Sequence, residues 1–172
     1  MQQDFGFDTL RLKVRHAEEL ARENRADLLK TVTRLLTKEA VVGLPTDWHG
    51  IDSYDKADLW LSEQMIESTL LVVSDNSTGT ELGFVLLHQS DPAYQTWHLG
   101  YLIGEAYWGR GYATELVVGL VTHLKHVVNA PMKLLAGVEA ENIPSIKILE
   151  KGGFTRLAKP NPHGTLFYEL GL

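Results

Sequence analysis

Two glycines lie close together at the point where an apolar segment passes into a helical one. Residues 100–115 read GYLIGEAYWGRGYATE, and Gly109 and Gly111 directly precede a helical pattern that begins at Tyr112. The first amides of a helix have no partner within it and carry the positive end of the helix dipole. Glycines let such a backbone approach a bulky anion, and Arg110 adds a cation at the rim. The pattern predicts a site for a phosphate or pyrophosphate group.

Spacing alone does not specify the role of this glycine pair. A glycine pair between a strand and a helix is often only a tight turn. A Walker loop is excluded, because no Gly-Lys-Ser/Thr closes the segment. A dinucleotide fingerprint fits poorly, because Thr114 stands where a third glycine belongs.

A second helix start follows in residues 142–154, which read NIPSIKILEKGGF. Asn142 is predicted to cap this helix, Pro144 to lie in its first turn and Gly152 to end it. Capping accounts for these residue types. It does not explain why a second helix next to glycines follows the first at this distance.

The elements that must position these segments follow from hydropathy periodicity. Strands are predicted at residues 9–14, 69–74, 81–89, 96–103, 132–138, 154–158 and 165–170; helices are predicted at 17–40 (with a break at Asn24), 55–68, 112–128 and 144–151. Three antiparallel strands that lead into a β-α-β-α unit predict a mixed α/β (α+β) sheet with helices on both faces. We expect one domain over residues 1–172, with its core at 9–170.

Composition narrows the class of function. The 172 residues carry a formal net charge of −6, which disfavours nucleic acid as a partner. The chain has no cysteine, which excludes thiolate chemistry. Residues 1–8 lack a signal-peptide pattern, and no apolar run approaches the roughly 20 residues of a membrane span. We therefore expect a soluble cytoplasmic protein without a membrane partner.

A metal site is not expected. His123 and His126 lie three residues apart on a predicted helix, but no third ligand stands at a suitable spacing.

Taken together, YWGRGYATE and the later NIPSIKILEKGGF resemble the GNAT superfamily of acetyl-CoA-dependent N-acetyltransferases. Within it, the chain is similar to the branch that contains the ribosomal-protein N-terminal acetyltransferases. The likeness is densest over residues 82–154. It implies a mostly antiparallel sheet of about seven strands, in which the parallel strands 97–103 and 132–138 splay apart and admit the pantetheine arm of coenzyme A.

The resemblance also implies which residues bind acetyl-CoA, the expected cosubstrate. Backbone amides of the glycine loop would bind the pyrophosphate, and Asn142 would bond the pantetheine arm. Main-chain groups of Tyr101 and Ile103 would pair with the arm from the other side. Trp108 replaces the usual Gln/Arg of the loop, and we expect it to pack there. The implied cofactor-binding residues are Leu102, Ile103, Gly109, Arg110, Gly111, Tyr112, Ala113, Thr114, Asn142, Ser145 and Lys151.

Two residues carry the catalytic expectations. The amide of Tyr101 would face the thioester oxygen and stabilise the oxyanion. Ser145 would contact the sulfur of the leaving thiolate, because Leu149 stands where many relatives have a tyrosine; helix capping is the alternative role for Ser145. The Tyr101 side chain is expected to pack in the core or to form a wall of the site rather than to act as an acid.

A general base is not evident from the sequence. Trp97 stands where relatives often have a glutamate, and the remaining candidates are His98, Glu105, Glu139, Asp47 and His49. A free α-amine has a pKa of about 7.7–8.0, so a useful fraction is neutral without any base.

The expected function is transfer of an acetyl group to a primary amine, either a small molecule or a protein N-terminus. The amine would attack the thioester directly in a ternary complex. The alternative is a non-catalytic acyl-CoA-binding or regulatory module on the same fold. Residues 21–66 would select the acceptor, with Trp48, His49 and Trp60 as walls of its site. A homodimer is left open.

Overall fold

Strands and helices follow one another largely in the predicted order. The computed structural model describes residues 4–158 and 161–172. Its strands are β1 (Phe7–Asp8), β2 (Leu12–His16), β3 (Thr69–Asp75), β4 (Glu81–Asp91), β5 (Thr96–Ile103), β6 (Lys133–Glu139), β7 (Thr155–Arg156) and β8 (Thr165–Gly171). Its α-helices are α1 (Ala17–Leu35), α2 (Tyr54–Glu67), α3 (Tyr112–Val127) and α4 (Ile143–Lys151).

These strands form one mixed sheet of eight, in the order β1-β2-β3-β4-β5-β6-β8-β7. β5 and β6 run parallel, and every other neighbouring pair in the described chain is antiparallel. The mostly antiparallel sheet is therefore confirmed, with eight strands in place of about seven.

The parallel pair separates along its length. Residues 96–98 of β5 pair with residues 133–135 of β6, and no pairing continues beyond them. β5 remains paired with β4 up to Ile103, while β6 remains paired with β8 up to Glu139. The two strands are held by their outer neighbours and diverge from each other, which confirms the splayed pair.

Helices cover both faces of the sheet, as predicted. One face packs against α3 and α4 through apolar side chains that include Leu116, Leu120, Leu124 and Leu149. The other face packs against α1 and α2, with Leu35, Trp60, Leu61 and Phe84 among its buried residues. Each fully buried side chain of this size contributes about 1.5–3 kcal/mol, so both faces contribute to holding the sheet in place.

The chain start differs from the sequence prediction. The pattern predicts one strand over residues 9–14, but β1 and β2 are separate and are joined by a turn at residues 9–11. In this turn the Thr9 N–H donates to the Leu12 carbonyl oxygen at 2.8 Å. Leu10 is 91% exposed, so its place in the apolar alternation does not reflect burial. Of the three alternating apolar residues, Leu10 lies in the turn, whereas Leu12 and Val14 lie in β2.

Three further boundaries are set by tertiary contacts. Asn24 breaks α1 as predicted, with φ −158° and ψ 89°. α1 ends at Leu35 rather than residue 40, and the apolar side chain of Val41 is instead buried from a turn. β7 covers two residues rather than 154–158, because only Thr155 and Arg156 pair with β8.

Two features are absent from the described part of the chain. None of the helices there is long and apolar enough to cross a membrane. No cluster of three or more His, Asp or Glu side chains there is arranged to hold a metal ion.

Candidate active site

A narrow slot opens where β5 and β6 diverge. Its volume is about 70 Å³. Its walls come from both strands, from α4 and from the loop that follows α1; the lining residues are Val42, Gly43, Leu44, Leu99, Gly100, Tyr101, Ala136, Gly137, Val138, Glu139, Asn142, Ser145 and Leu149. An open depression of about 300 Å³ at Thr33 and residues 52–54 shares no lining residue with this slot.

Backbone groups of β5 face the slot at alternate residues. The Gly104 N–H donates to the Leu82 carbonyl of β4 at 2.8 Å. Residues of an antiparallel strand alternate between bonding one neighbour and facing the other side. Leu102 therefore bonds to β4, whereas the N–H and C=O groups of Tyr101 and Ile103 point toward β6, from which β5 has separated. The splayed pair leaves these groups without a β-ladder partner.

One of these groups has a side-chain partner. The indole N–H of Trp108 donates to the Ile103 carbonyl oxygen at 2.7 Å. The Trp108 side chain is otherwise half exposed, so it does not pack beneath the loop as expected. It bridges the end of β5 to the segment that leads into α3.

Tyr101 lines the slot, and its hydroxyl lies near Ser145. Its hydroxyl is buried and makes no hydrogen bond that meets ordinary geometry within the described residues. Burial raises the pKa of the Tyr101 phenol, and the nearby Ser145 hydroxyl offsets part of that rise. A buried phenol without a partner is costly, so the Tyr101 hydroxyl lowers the stability of the chain in this arrangement.

The first turn of α4 presents Ser145. The Asn142 side chain caps this helix by accepting the Ser145 N–H at 3.2 Å, and Pro144 lies in the first turn. The cap is therefore Asn142 and not Ser145, which leaves the Ser145 hydroxyl free at the slot. Leu149 lies one turn further along and closes the slot with an apolar side chain.

The glycine loop presents free amides at the start of α3. Gly109 and Gly111 have φ of +72° and +77°, which glycine adopts without the penalty of a side chain. The N–H groups of residues 109–114 donate no hydrogen bond to any described residue, and the first helical bond is Glu115 N–H to the Gly111 carbonyl. This is the array of outward amides that a helix N-terminus offers to an anion.

Side chains beside the loop pack against its inner side. The Tyr112 hydroxyl bonds Asp75 at 3.3 Å, and the Arg11 guanidinium carbon lies 4.5 Å from the Tyr112 ring centre. The Arg110 side chain extends over the Tyr107 ring, 6.0 Å from its centre. Tyr112 therefore packs under the loop, as the sequence allowed.

The candidate bases lie in different environments. Glu139 lines the slot, and its carboxyl carbon is 3.4 Å from where a Cβ on Gly43 would stand. Burial, and secondarily the neighbouring His88, lowers the pKa of His98, which stands opposite His88 in the β4–β5 register. Asp47 accepts from Gln64, and His49 contacts the Leu44 carbonyl. Glu105 begins the 3-10 turn that follows β5.

The structure brings together only part of the predicted site. Tyr101, Asn142 and Ser145 line the same slot, and the loop residues 109–114 stand at the N-terminus of α3 after β5. The Leu102 side chain belongs to the opposite core, and that of Ile103 is buried beneath α3 and α4. Lys151 ends α4 and does not line the slot. The roles of these residues remain predictions.

Two contributions are not evident from the sequence. Residues 42–44 line the slot, although the pattern marks them only as the end of a helix. Arg11 contacts the glycine loop from a turn where the pattern predicts a strand. No sequence signal indicates either one, because both depend on where distant segments pack.

A family model described as an acetyltransferase (GNAT) domain matches residues 11–155. The chain belongs to the GNAT acetyltransferase family.

One curated relative is described by name as an N-acetyltransferase. An uncharacterized N-acetyltransferase, p20, of Bacillus licheniformis is 30% identical over 99 residues, which are 58% of this chain and 53% of that protein. The match thus spans about half the length of this relative.

Three solved structures share the fold over nearly the whole chain. A GNAT acetyltransferase from Bacillus anthracis is 18% identical with a TM-score of 0.75, covering 96% of this chain and 97% of that one. A ribosomal α-N-protein acetyltransferase in complex with coenzyme A is 14% identical with a TM-score of 0.73, covering 94% of each chain. A spermidine N-acetyltransferase variant from Vibrio cholerae is 15% identical with a TM-score of 0.72, covering 95% of each chain.

Proposed function

We propose that this chain is a single acetyl-CoA-dependent N-acetyltransferase domain that transfers an acetyl group to a primary amine by direct attack in a ternary complex. The observation that carries this proposal is that the slot and the glycine loop adjoin. The slot between β5 and β6 holds unpaired backbone groups, and the free amides of the glycine loop follow at the end of β5. A cytoplasmic location and a homodimer stay predictions.

The residues present fit coenzyme A. The pantetheine arm would lie along the strand edges that are left unpaired where β5 and β6 diverge, and a pyrophosphate suits the amides of residues 109–114. Tyr101 and Ile103 offer backbone groups along the slot, and Asn142 offers its side-chain amide from the opposite wall. Arg110 and Lys151 are exposed cations that would contact the phosphates.

The chemistry follows from the groups in the slot. The amine nitrogen attacks the thioester carbon, the new C–N bond forms and the C–S bond then breaks. The Tyr101 N–H donates to the oxygen that becomes negative, an effect worth about 3 kcal/mol in comparable sites. The Ser145 hydroxyl donates to the departing thiolate. One proton leaves the nitrogen for water, and the thiolate takes up one from solvent.

The alternative is a non-catalytic acyl-CoA-binding module. One observation favours it. Leu149 places an apolar side chain at the slot, where the family resemblance implies the hydroxyl of a tyrosine in many members. The Ser145 hydroxyl at the slot favours the enzyme, because it can donate a hydrogen bond to a departing thiolate.

A turnover assay separates the two functions. A thiol-reactive dye measures release of coenzyme A from acetyl-CoA in the presence of primary amines. Because two structural neighbours are a ribosomal α-N-protein acetyltransferase and a spermidine N-acetyltransferase, the panel includes peptides with free N-termini and polyamines. Amine-dependent release supports the enzyme. Saturable binding of acetyl-CoA without release for any amine supports the binding module, and no binding at millimolar acetyl-CoA overturns both.

A further inference from the structure

Arg11 lies far from the glycine loop in sequence but contacts it in the fold. From the turn between β1 and β2, its Nη1 donates to the Arg110 carbonyl oxygen at 2.9 Å. Its Nε donates to Glu115 Oε2 at 2.6 Å, one turn into α3. Its Nη2 lies 3.5 Å from where a Cβ on Gly111 would stand. The guanidinium therefore supports the loop at several points.

The turn that carries Arg11 is itself held in place. The Arg11 N–H and the Thr9 hydroxyl both donate to Glu115 Oε1, at 2.8 and 2.6 Å. The Arg11 carbonyl accepts the Asn76 N–H at 2.8 Å. Burial opposes the charge of Glu115, but the bonds from Thr9 and Arg11 outweigh it and lower the pKa of this carboxyl. The arrangement leaves the guanidinium little freedom to move.

Because the peptide bond is planar, this contact also fixes the direction of the Gly111 N–H. In a trans peptide the C=O of one residue and the N–H of the next point in opposite directions. A bond that holds the Arg110 C=O toward Arg11 therefore aims the Gly111 N–H away from it, to the outer side of the loop. Gly111 accepts the positive φ that this orientation requires.

We propose that Arg11 is a positioning residue for coenzyme A, whose guanidinium fork holds the Arg110 carbonyl inward and so aims the Gly111 amide at the pyrophosphate. The identity of the ligand rests on the proposed function. The role is one of geometry rather than of charge, because Glu115 already pairs with the Arg11 cation. A lysine supplies the same charge but no planar fork, so it cannot reproduce both contacts.

The first test measures binding of coenzyme A by calorimetry to Arg11→Met, Arg11→Lys and a control, Arg15→Met. Arg15 is the next arginine along the chain, and its partners are Glu19 and Glu23 rather than the loop. We expect both Arg11 variants to bind about 10-fold more weakly, as for a lost charge-assisted hydrogen bond. The Arg15 variant is expected to bind like wild type. Full affinity in Arg11→Lys would overturn the geometric role.

A truncated substrate then separates positioning from general damage to the fold. S-Acetylpantetheine keeps the thioester and the arm but lacks the pyrophosphate. With an accepted amine, Arg11→Lys is expected to lower kcat/KM for acetyl-CoA by about 10-fold and to leave that for S-acetylpantetheine within about two-fold. An equal loss with both thioesters would overturn the proposal.

These tests also distinguish this proposal from the proposed function. Wild-type protein that fails to bind coenzyme A contradicts the function itself. Wild-type protein that binds coenzyme A but acetylates no amine still allows the calorimetric comparison. In that comparison, full affinity of Arg11→Lys contradicts the positioning role alone. Arg11→Lys keeps the charge partner of Glu115, so the comparison stands even where Arg11→Met does not fold.

Discussion

The indole nitrogen of Trp108 lies 2.7 Å from the carbonyl oxygen of Ile103, on the side of β5 that faces the slot. A carbonyl oxygen has two lone pairs, so this bond leaves one for a ligand. The contact joins the last residue of β5 to the segment before the glycine loop. It therefore couples the two parts of the candidate coenzyme A site through one side chain.

Replacing Trp108 tests this coupling. Trp108→Phe removes a hydrogen bond worth about 0.5–1.5 kcal/mol. We expect coenzyme A to change the tryptophan fluorescence of the wild type. Trp108→Phe is expected to lose that change and to bind coenzyme A a few-fold more weakly. Trp48→Phe is the control, because Trp48 lies in the other core against Trp60. A ligand-induced fluorescence change that persists in Trp108→Phe would contradict the assignment.

Gly111 is expected to be essential for coenzyme A binding. Gly111→Val puts a branched side chain on a residue with φ of +77°, next to the Arg11 guanidinium. Ligand binding to the native state raises the melting temperature by mass action, and we expect this variant to lose the rise that coenzyme A causes.

Gly79→Val is the matched control for Gly111. Gly79 has a similar φ of +72° but lies in the turn between β3 and β4, outside the slot and the glycine loop. In both variants a side chain in a left-handed conformation lowers the free energy of unfolding by about 1–2 kcal/mol. Only the Gly111 variant should lose the coenzyme A response; loss in both would indicate general strain.

Ser145 is expected to act in chemistry and not in folding. Because Asn142 caps α4, Ser145→Ala should leave the melting temperature unchanged, whereas Asn142→Ala should cost about 1 kcal/mol of stability. Ser145→Ala is expected to lower kcat by about 10-fold to 100-fold with little change in coenzyme A affinity. An unchanged kcat, with chemistry shown to limit the rate, would contradict a role at the sulfur.

Tyr101→Phe should change stability and activity in opposite directions. The variant removes a buried hydroxyl that has no hydrogen-bond partner, so the free energy of unfolding should stay the same or rise. If coenzyme A binding brings this hydroxyl into a hydrogen bond with Ser145, its loss should lower kcat by several-fold. Thermal melts and steady-state kinetics measure the two effects. A stability loss together with unchanged kcat would make the phenol a wall of the slot only.

The pH dependence of kcat/KM identifies the group that releases the proton. If the acceptor ionises by itself, log(kcat/KM) rises with unit slope and levels off near the pKa of the free amine, about 8 for an α-amine. Burial lowers the pKa of His98, so a reaction that used this base would level off below the ordinary histidine value of about 6.5.

Two acceptors of different pKa separate these cases. An inflection that moves with the acceptor supports reaction without a protein base. An inflection that stays in place, and that His98→Ala, Glu105→Ala or Glu139→Ala removes, identifies the base. Of these three side chains only Glu139 lines the slot, so it is the strongest candidate on position.

Local sequence patterns predicted most of the elements because short-range physics sets them. The 96–103 strand matches the structure at both ends, and the helices at α3 and α4 begin within one residue of their predicted starts. In each case a glycine, a cap or a proline next to a periodic apolar run specifies the boundary. The pattern at residues 9–14 failed because exposed Leu10 satisfied the alternation by chance.

The sequence by itself determined the family, the glycine loop and the cap of α4, since each depends on residues that are neighbours along the chain. Tertiary structure alone decided which backbone groups face the slot. It also decided that the Tyr101 hydroxyl lies near Ser145 and that Arg11 contacts the glycine loop. Arg11 and Glu115 are 104 residues apart in the chain. Nothing local specifies such a contact, because it forms only when burial of the apolar faces brings the β1–β2 turn against α3.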